Sequence, residues 1–190
     1  MHAQHLHQRA DLVRIATRVM AERGLEPEFS RQVDQQLAGI EGPGRDAAPG
    51  IRDLTHLLWC SIDNDDSRDL DQLTACEPLP SGGIRLWVAV ADVDALVKPL
   101  TPIDDHALTN TTSVYTSARI FPMLPERLCT DLTSLNPDQE RLAVVTELVF
   151  HADAALAGSA VYRARVRNRA QLAYDAVSAW IDDVGPLPEA

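Results

Sequence analysis

At 190 residues, 45% hydrophobic and 24% charged, the chain has the composition of a globular protein long enough to bury a core. Its net charge of −11 is the wrong sign for a broad nucleic-acid-binding surface and leaves room only for a narrow, locally positive channel. Cys60, Cys76 and Cys129 are odd in number and lack a C-x-x-C pair, which argues for free thiols in a reducing compartment, the cytoplasm, rather than disulfides or a zinc site. No apolar run has the length of a signal sequence or a membrane helix, so no membrane partner is expected.

Residues 3–23 read as an amphipathic helix, with Leu6, Ala10, Val13, Thr17 and Met20 at three- and four-residue steps and Gly24 at the capping position. His2, His5 and His7 at its start suit weak metal binding or a solvated terminus. A second helix, from Pro27 to Leu37, puts Phe29, Val33, Leu37 and Ile40 on one stripe. The two helices fit a small RNA-binding element or a brace for the rest of the chain. Residues 41–50, rich in Gly and Pro, predict a linker. Strands follow near Leu57–Ile62 and Leu70–Cys76, and a turn through Pro78–Gly83 leads into Ile84–Ala91. Residues 103–110 look helical, and residues 112–137, rich in Pro, Ser, Thr and Asn, look like ordered loop. Arg141–His151 is a strong strand, Ala157-Gly158 predicts a turn, and a further strand spans Ser159–Arg169. A helix over Tyr174–Asp182 precedes a linker-like Val184–Pro188. Strands and helices without repeating βαβ units predict an α+β fold with a mixed, mostly antiparallel sheet.

The chemistry concentrates in Ser61–Gln72, where five carboxylates fall within nine residues just after the apolar Leu57–Cys60 stretch. A strand that ends in a dense acidic loop suits a hard divalent cation, because carboxylates supply both oxygens and charge. Asp63, at the strand end, is a direct ligand candidate. Asp69 and Asp71 share a face if the chain is extended there, since i and i+2 point the same way. A solvated acidic turn is the bland alternative. Arg163, Arg165, Arg167 and Arg169 alternate along one strand and share a face that could track a phosphate backbone or simply meet water. Arg119 and Arg127 flank a Pro-Met-Leu-Pro loop and are further phosphate candidates.

The acidic run resembles the opening signature of the RNB catalytic domain of the ribonuclease II / ribonuclease R family: Ile-Asp, a short variable loop, then Asp-x-Asp-Asp, whose last position is Gln72 here. Three further stretches are similar to that family in its order and spacing. They are Trp87–Val93 with Val97-Lys98-Pro99; Thr112–Tyr115 with Ile120–Leu128 and Leu132–Pro137; and Ala170–Trp180. The resemblance covers about residues 51–190 and implies the front half of the domain, after a helical segment (residues 1–40) and the linker (41–50). Half a domain would expose the face its other half covers. A longer form or a second chain is therefore expected to supply the remainder.

The resemblance implies a processive 3′-to-5′ exoribonuclease that hydrolyses single-stranded RNA to nucleoside 5′-monophosphates with Mg²⁺, or Mn²⁺ in its place. It makes Asp63, Asp69 and Asp71 metal-site positions, with Asp69 and Asp71 catalytic and Asp71 the hardest to replace. Asp65 and Asp66 fall in the variable part of the loop. Gln72 departs from the family, which usually has a further aspartate there; an amide can coordinate through its oxygen but brings no charge. Tyr115 matches a tyrosine that stacks on RNA near the 3′ end, where grip is independent of sequence. A half-buried, hydrogen-bonded tyrosine is the alternative. Tyr174 matches a tyrosine tied to ribose recognition, against a plain packing stripe of Leu172, Tyr174 and Val177. Three readings therefore stand: an exoribonuclease fragment, weakly active or inactive on its own; an RNA-binding or regulatory protein that does not cut; and an unsupported fragment that self-associates.

Overall fold

The computed structural model describes residues 2–45 and 50–188, with side chains from Arg9 onward in the first stretch. The side chains of His2, His5 and His7 and much of the expected linker lie outside the described residues. Two compact units emerge, and they do not follow the division at residues 40 and 50. One holds the chain up to Glu41 together with Leu96–Glu126; the other holds Gly42–Ala95 and Arg127 onward.

In the first unit, α1 (His2–Glu22) ends at Gly24, whose φ of +77° is a left-handed cap. The helix α2 (Arg31–Ala38) starts later than the periodicity suggested, because the Ser30 hydroxyl accepts from the Val33 N–H at 3.3 Å and caps it there. It packs beside α3 (Pro102–Asn110), with Val33 and Ile103 buried. Gln36 ties the two: its Nε2 donates to Thr101 Oγ1 at 3.0 Å, and its Oε1 accepts from the Ile103 N–H at 2.9 Å. His106, 3% exposed, ties α3 to the α1–α2 connection: its Nδ1 lies 2.9 Å from Glu26 Oε2, and its Nε2 lies 3.0 Å from the Asn110 amide. The stretch expected as loop here contains a short hairpin, β5 (Val114–Tyr115) with β6 (Ile120–Phe121).

The second unit is the sheet. Its strands are β1 (Arg52–Asp53), β2 (Trp59–Asp63), β3 (Gln72–Pro78), β4 (Ile84–Ala91), β7 (Glu140–Phe150) and β8 (Leu156–Ala173). β2–β3, β3–β4, β4–β7 and β7–β8 are antiparallel, whereas β1 and β2 both run parallel to β8. The α+β, mostly antiparallel architecture is thus as expected. β8 closes a circuit, because its early part pairs with β7 and its last residues, Asn168–Ala173, pair with β2. Trp59, Leu73, Trp87, Leu135, Val145 and Val166 fill the core. A five-residue π-helical turn, Leu128–Leu132, leads to the buried Thr133–Leu135 segment.

One expected turn is displaced. Ala157-Gly158 lies inside β8, and the chain reverses at His151–Ala155 instead. Asp153 Oδ1 accepts from the Ala155 N–H at 3.1 Å, and Ala154 takes a φ of +63°. The aspartate's local bond sets the reversal that glycine was expected to set. In the β3–β4 turn, by contrast, glycine is required: a Cβ on Gly83 would sit 2.1 Å from the Phe150 carbonyl oxygen.

Candidate active site

Alternation along β2 orients its last residue. Trp59 and Ser61 are buried on the core side, and Asp63 follows at the same parity, half-buried. Asp63 Oδ2 is buried and has no hydrogen-bond partner. Burial pushes the Asp63 carboxyl above its ordinary range, a Ser61 hydrogen bond opposes the shift, and the charge of Asp71 adds to it.

The acidic loop leaves β2 through a turn in which the Ser67 N–H donates to the Asn64 carbonyl at 3.0 Å. It returns at Leu70, 1% exposed, which anchors the chain between Asp69 and Asp71. The Leu70 N–H donates to Ser134 Oγ at 3.1 Å, and the Leu70 carbonyl accepts from the Leu135 N–H at 2.8 Å. The Asp71 carbonyl accepts from the Ala91 N–H at 2.9 Å, which joins the loop to β4 as β3 begins. With Leu70 turned inward, Asp69 and Asp71 fall to its other side, as an extended chain requires. Asp69 is exposed, yet crowding by protein, then the charges of Asp71 and Asp63, push its carboxyl up to about 6. Asp65 and Asp66 are exposed.

A cleft of about 470 Å³ opens beside the loop. Asp63, Asp71, Gln72, Cys60 and Thr74 line one wall, and Tyr174, Val177, Ser178 and Ile181 of α4 (Tyr174–Ile181) line the other. Four site candidates, Asp63, Asp71, Gln72 and Tyr174, therefore share one cleft. Tyr174 is 55% exposed, so its ring is presented rather than packed away.

The donor set suits a cation in its chemistry. Three carboxylates repel one another, two have raised affinity for protons, and one buried oxygen lacks a partner. A divalent ion would relieve all three conditions. Among the described residues, however, no three His, Cys, Asp or Glu side chains stand close enough to form a ready-made cage.

The basic candidates stand elsewhere. Ala164, Val166 and Asn168 point into the core, which leaves the four arginines on the opposite face of β8. All four already have protein partners. Arg163 bonds Asp92, Arg165 bonds Asp53 at 2.8 Å, Arg167 lies 3.7 Å from Asp138, and Arg169 donates to the Thr55 carbonyl at 2.9 Å. Arg167 Nε is buried without a hydrogen-bond partner. Tyr115 and Arg119 belong to the other unit. Tyr115 is 69% exposed on β5, while Arg119 forms a two-pronged ion pair with Glu28 and stacks over Phe121 at 4.7 Å.

Sequence reasoning did not single out Ser134, Asn168 or Gln171, which hold the loop. Asn168 Nδ2 reaches Ser61 Oγ at 3.4 Å and the Leu135 carbonyl at 3.0 Å, and Gln171 Nε2 donates to the Ser67 carbonyl at 3.2 Å. The available signal was that Ser134 and Gln171 lie inside two of the recognised stretches.

The chain is similar to known proteins in sequence and in fold. Ribonuclease R of Escherichia coli (strain K12) is 42% identical over 150 residues, which cover 78% of this chain and 18% of that protein. The chain thus spans less than a fifth of that relative's length. Among solved structures, Mycoplasma genitalium RNase R in complex with double-stranded RNA superposes with a TM-score of 0.79 at 30% identity, covering 89% of this chain and 30% of that one. A yeast pseudonuclease shares the fold at a TM-score of 0.62 and 15% identity, covering 70% of this chain and 17% of that one. The RNB domain family model matches residues 51–189, and the chain belongs to the RNB domain family.

Proposed function

We propose that this chain carries part of the active site of a metal-dependent 3′-to-5′ exoribonuclease that hydrolyses single-stranded RNA to nucleoside 5′-monophosphates. The observation that carries the reading is that Asp63 and Asp71 line one cleft, with Asp69 near enough to feel both charges and one buried oxygen of Asp63 left unpartnered. These three residues would hold Mg²⁺, or Mn²⁺. An ion bound there supplies charge for the phosphoryl oxygens and a water acidic enough to be a nucleophile at neutral pH.

The chain's own residues orient and grip. Asp63 is fixed by the sheet, Asp71 by the Ala91 bond, and Tyr174 offers an exposed ring in the same cleft for the terminal ribose. Tyr115 is assigned to base stacking, and Arg119 and Arg167 to the phosphate backbone. Both arginines must loosen protein contacts to do so. Gln72 stands in the cleft without charge, which weakens metal binding. A longer form or a second chain completes the site, and the 190 residues alone are expected to be weakly active or inactive. Cys60, Cys76 and Cys129 form no disulfide among the described residues, which supports a cytoplasmic setting.

A second reading, RNA binding without cleavage, is favoured by Gln72. The deciding assay uses 5′-labelled single-stranded RNA, with Mg²⁺ or Mn²⁺ against EDTA, beside Asp71→Asn. A metal-dependent ladder shortening from the 3′ end and lost in the variant supports the nuclease. Salt-sensitive binding with no ladder from either the chain or a longer form supports the second reading.

A further inference from the structure

We propose that Ser134 is a positioning residue for Asp69: its one hydroxyl holds the backbone on both sides of that carboxylate. The inference rests on the metal-site reading of Asp63, Asp69 and Asp71.

The three carboxylates are not held alike. Asp63 is the last residue of β2, paired with Ala173 of β8. Asp71 adjoins β3 and is bonded to β4 through its carbonyl. Asp69 alone lies outside a strand and its immediate ladder. Burial and neighbouring charge are what act on its carboxylate; no side-chain hydrogen bond fixes it among the described residues. Its place is therefore set by the backbone.

Ser134 supplies that fixture. It is 1% exposed, and its Oγ accepts from the Leu70 N–H at 3.1 Å while lying 3.1 Å from the Arg68 carbonyl, to which it donates. Arg68 and Leu70 are the two neighbours of Asp69. Asn136 Oδ1 also stands 3.1 Å away, oriented by the Asn136 Nδ2 bond to the Thr130 carbonyl, so the single hydroxyl proton is shared between two oxygens. The next residue, Leu135, grips the Leu70 carbonyl. Removing the Ser134 hydroxyl takes one hydrogen bond from each neighbour of Asp69, while the Leu135 bond to the Leu70 carbonyl, the β2 pairing of Asp63 and the Ala91 bond to Asp71 remain. Groups that orient metal ligands from behind affect affinity as well as stability.

The test measures Mn²⁺ binding by calorimetry on the whole chain, well below its melting temperature. The variants are Ser134→Ala, Ser134→Thr, Asp69→Asn and the core control Val145→Ala. Ser134→Ala is expected to weaken Mn²⁺ binding by about 10- to 100-fold. It should also speed hydrogen exchange at the Leu70 amide while β4 amides stay protected. Ser134→Thr restores affinity, and Val145→Ala lowers the melting temperature without changing affinity. Should Ser134→Thr not fold, Leu70 exchange and the Val145→Ala comparison decide. Wild-type affinity in Ser134→Ala, beside loss in Asp69→Asn, overturns the positioning role alone. Equal weakening by Val145→Ala reduces Ser134 to ordinary structure. A wild-type chain that binds no Mn²⁺ sinks the metal reading and this inference together.

Discussion

The Asn168 side-chain amide donates to the Leu135 carbonyl at 3.0 Å, across 33 residues of sequence, and its own carbonyl oxygen accepts from the Ala170 N–H at 3.1 Å. Asn168 is 1% exposed and sits where β8 passes from β7 to β2. It also reaches Ser61, two residues before Asp63. One amide thus secures the switch of strand partners and the base of the acidic loop. Asn168→Leu keeps the volume but leaves buried backbone and hydroxyl groups unpaired, which costs about 1–3 kcal/mol for each such group. Urea denaturation should show a lower midpoint with an unchanged slope.

Asp69 gives the site a pH dependence with two opposite signs. Its carboxyl is raised from 3.8 to about 6. The folded protein therefore holds more protons than the unfolded chain between those values, so this group's contribution to stability falls as pH rises through that window. Metal binding goes the other way, because the ligand must be deprotonated. Mn²⁺ affinity should drop as pH falls below about 6. Asp69→Asn should flatten the corresponding part of the metal-free stability profile. Calorimetry and thermal melts at pH 5 and 7.5 check both; a pH-independent affinity would contradict the raised carboxyl.

Gln72→Asp restores a negative charge to the cleft beside Asp71. The fourth carboxylate should tighten Mn²⁺ binding on the order of tenfold, the scale of one added charge near a protein surface. In the metal-free protein, added repulsion should lower the melting temperature. The opposed pair of results is the signature: unchanged Mn²⁺ affinity, with or without the apo cost, would remove Gln72 from the site.

His106→Ala examines the first unit. The ring is buried, bonded to Glu26 and Asn110, and lies 4.4 Å from the Phe29 ring between centroids. Truncation removes that packing and one bond of the Asn110 amide, which keeps its two bonds to the Glu26 backbone, for a loss of about 2–4 kcal/mol. Hydrogen exchange should show α2 and α3 opening together; unchanged protection would mean the network is dispensable.

The local chemistry of the chain determined a good deal by itself. The strand read at Ile84–Ala91 matches β4 to the residue, and the helices read at residues 3–23 and 103–110 match α1 and α3 within one residue at each end. The Asp63–Asp71 run pointed to a cation site, and the ordered motifs pointed to the RNB domain family. These features depend on neighbours a few residues apart, which the period of a strand or helix exposes directly.

Only the tertiary structure decided what each group meets. The Arg163–Arg169 stripe had the right spacing for one face, yet Asp53, Asp92 and Asp138 as its partners come from other segments. The turn expected at Gly158 lost to the Asp153 side chain a few residues earlier. Residues 96–126 joined the N-terminal helices through Gln36 and His106. Ser134 is 64 residues from the Leu70 N–H it accepts from. Such bonds satisfy backbone groups that burial has removed from water, and which groups are buried is a property of the packed chain rather than of any one stretch of it.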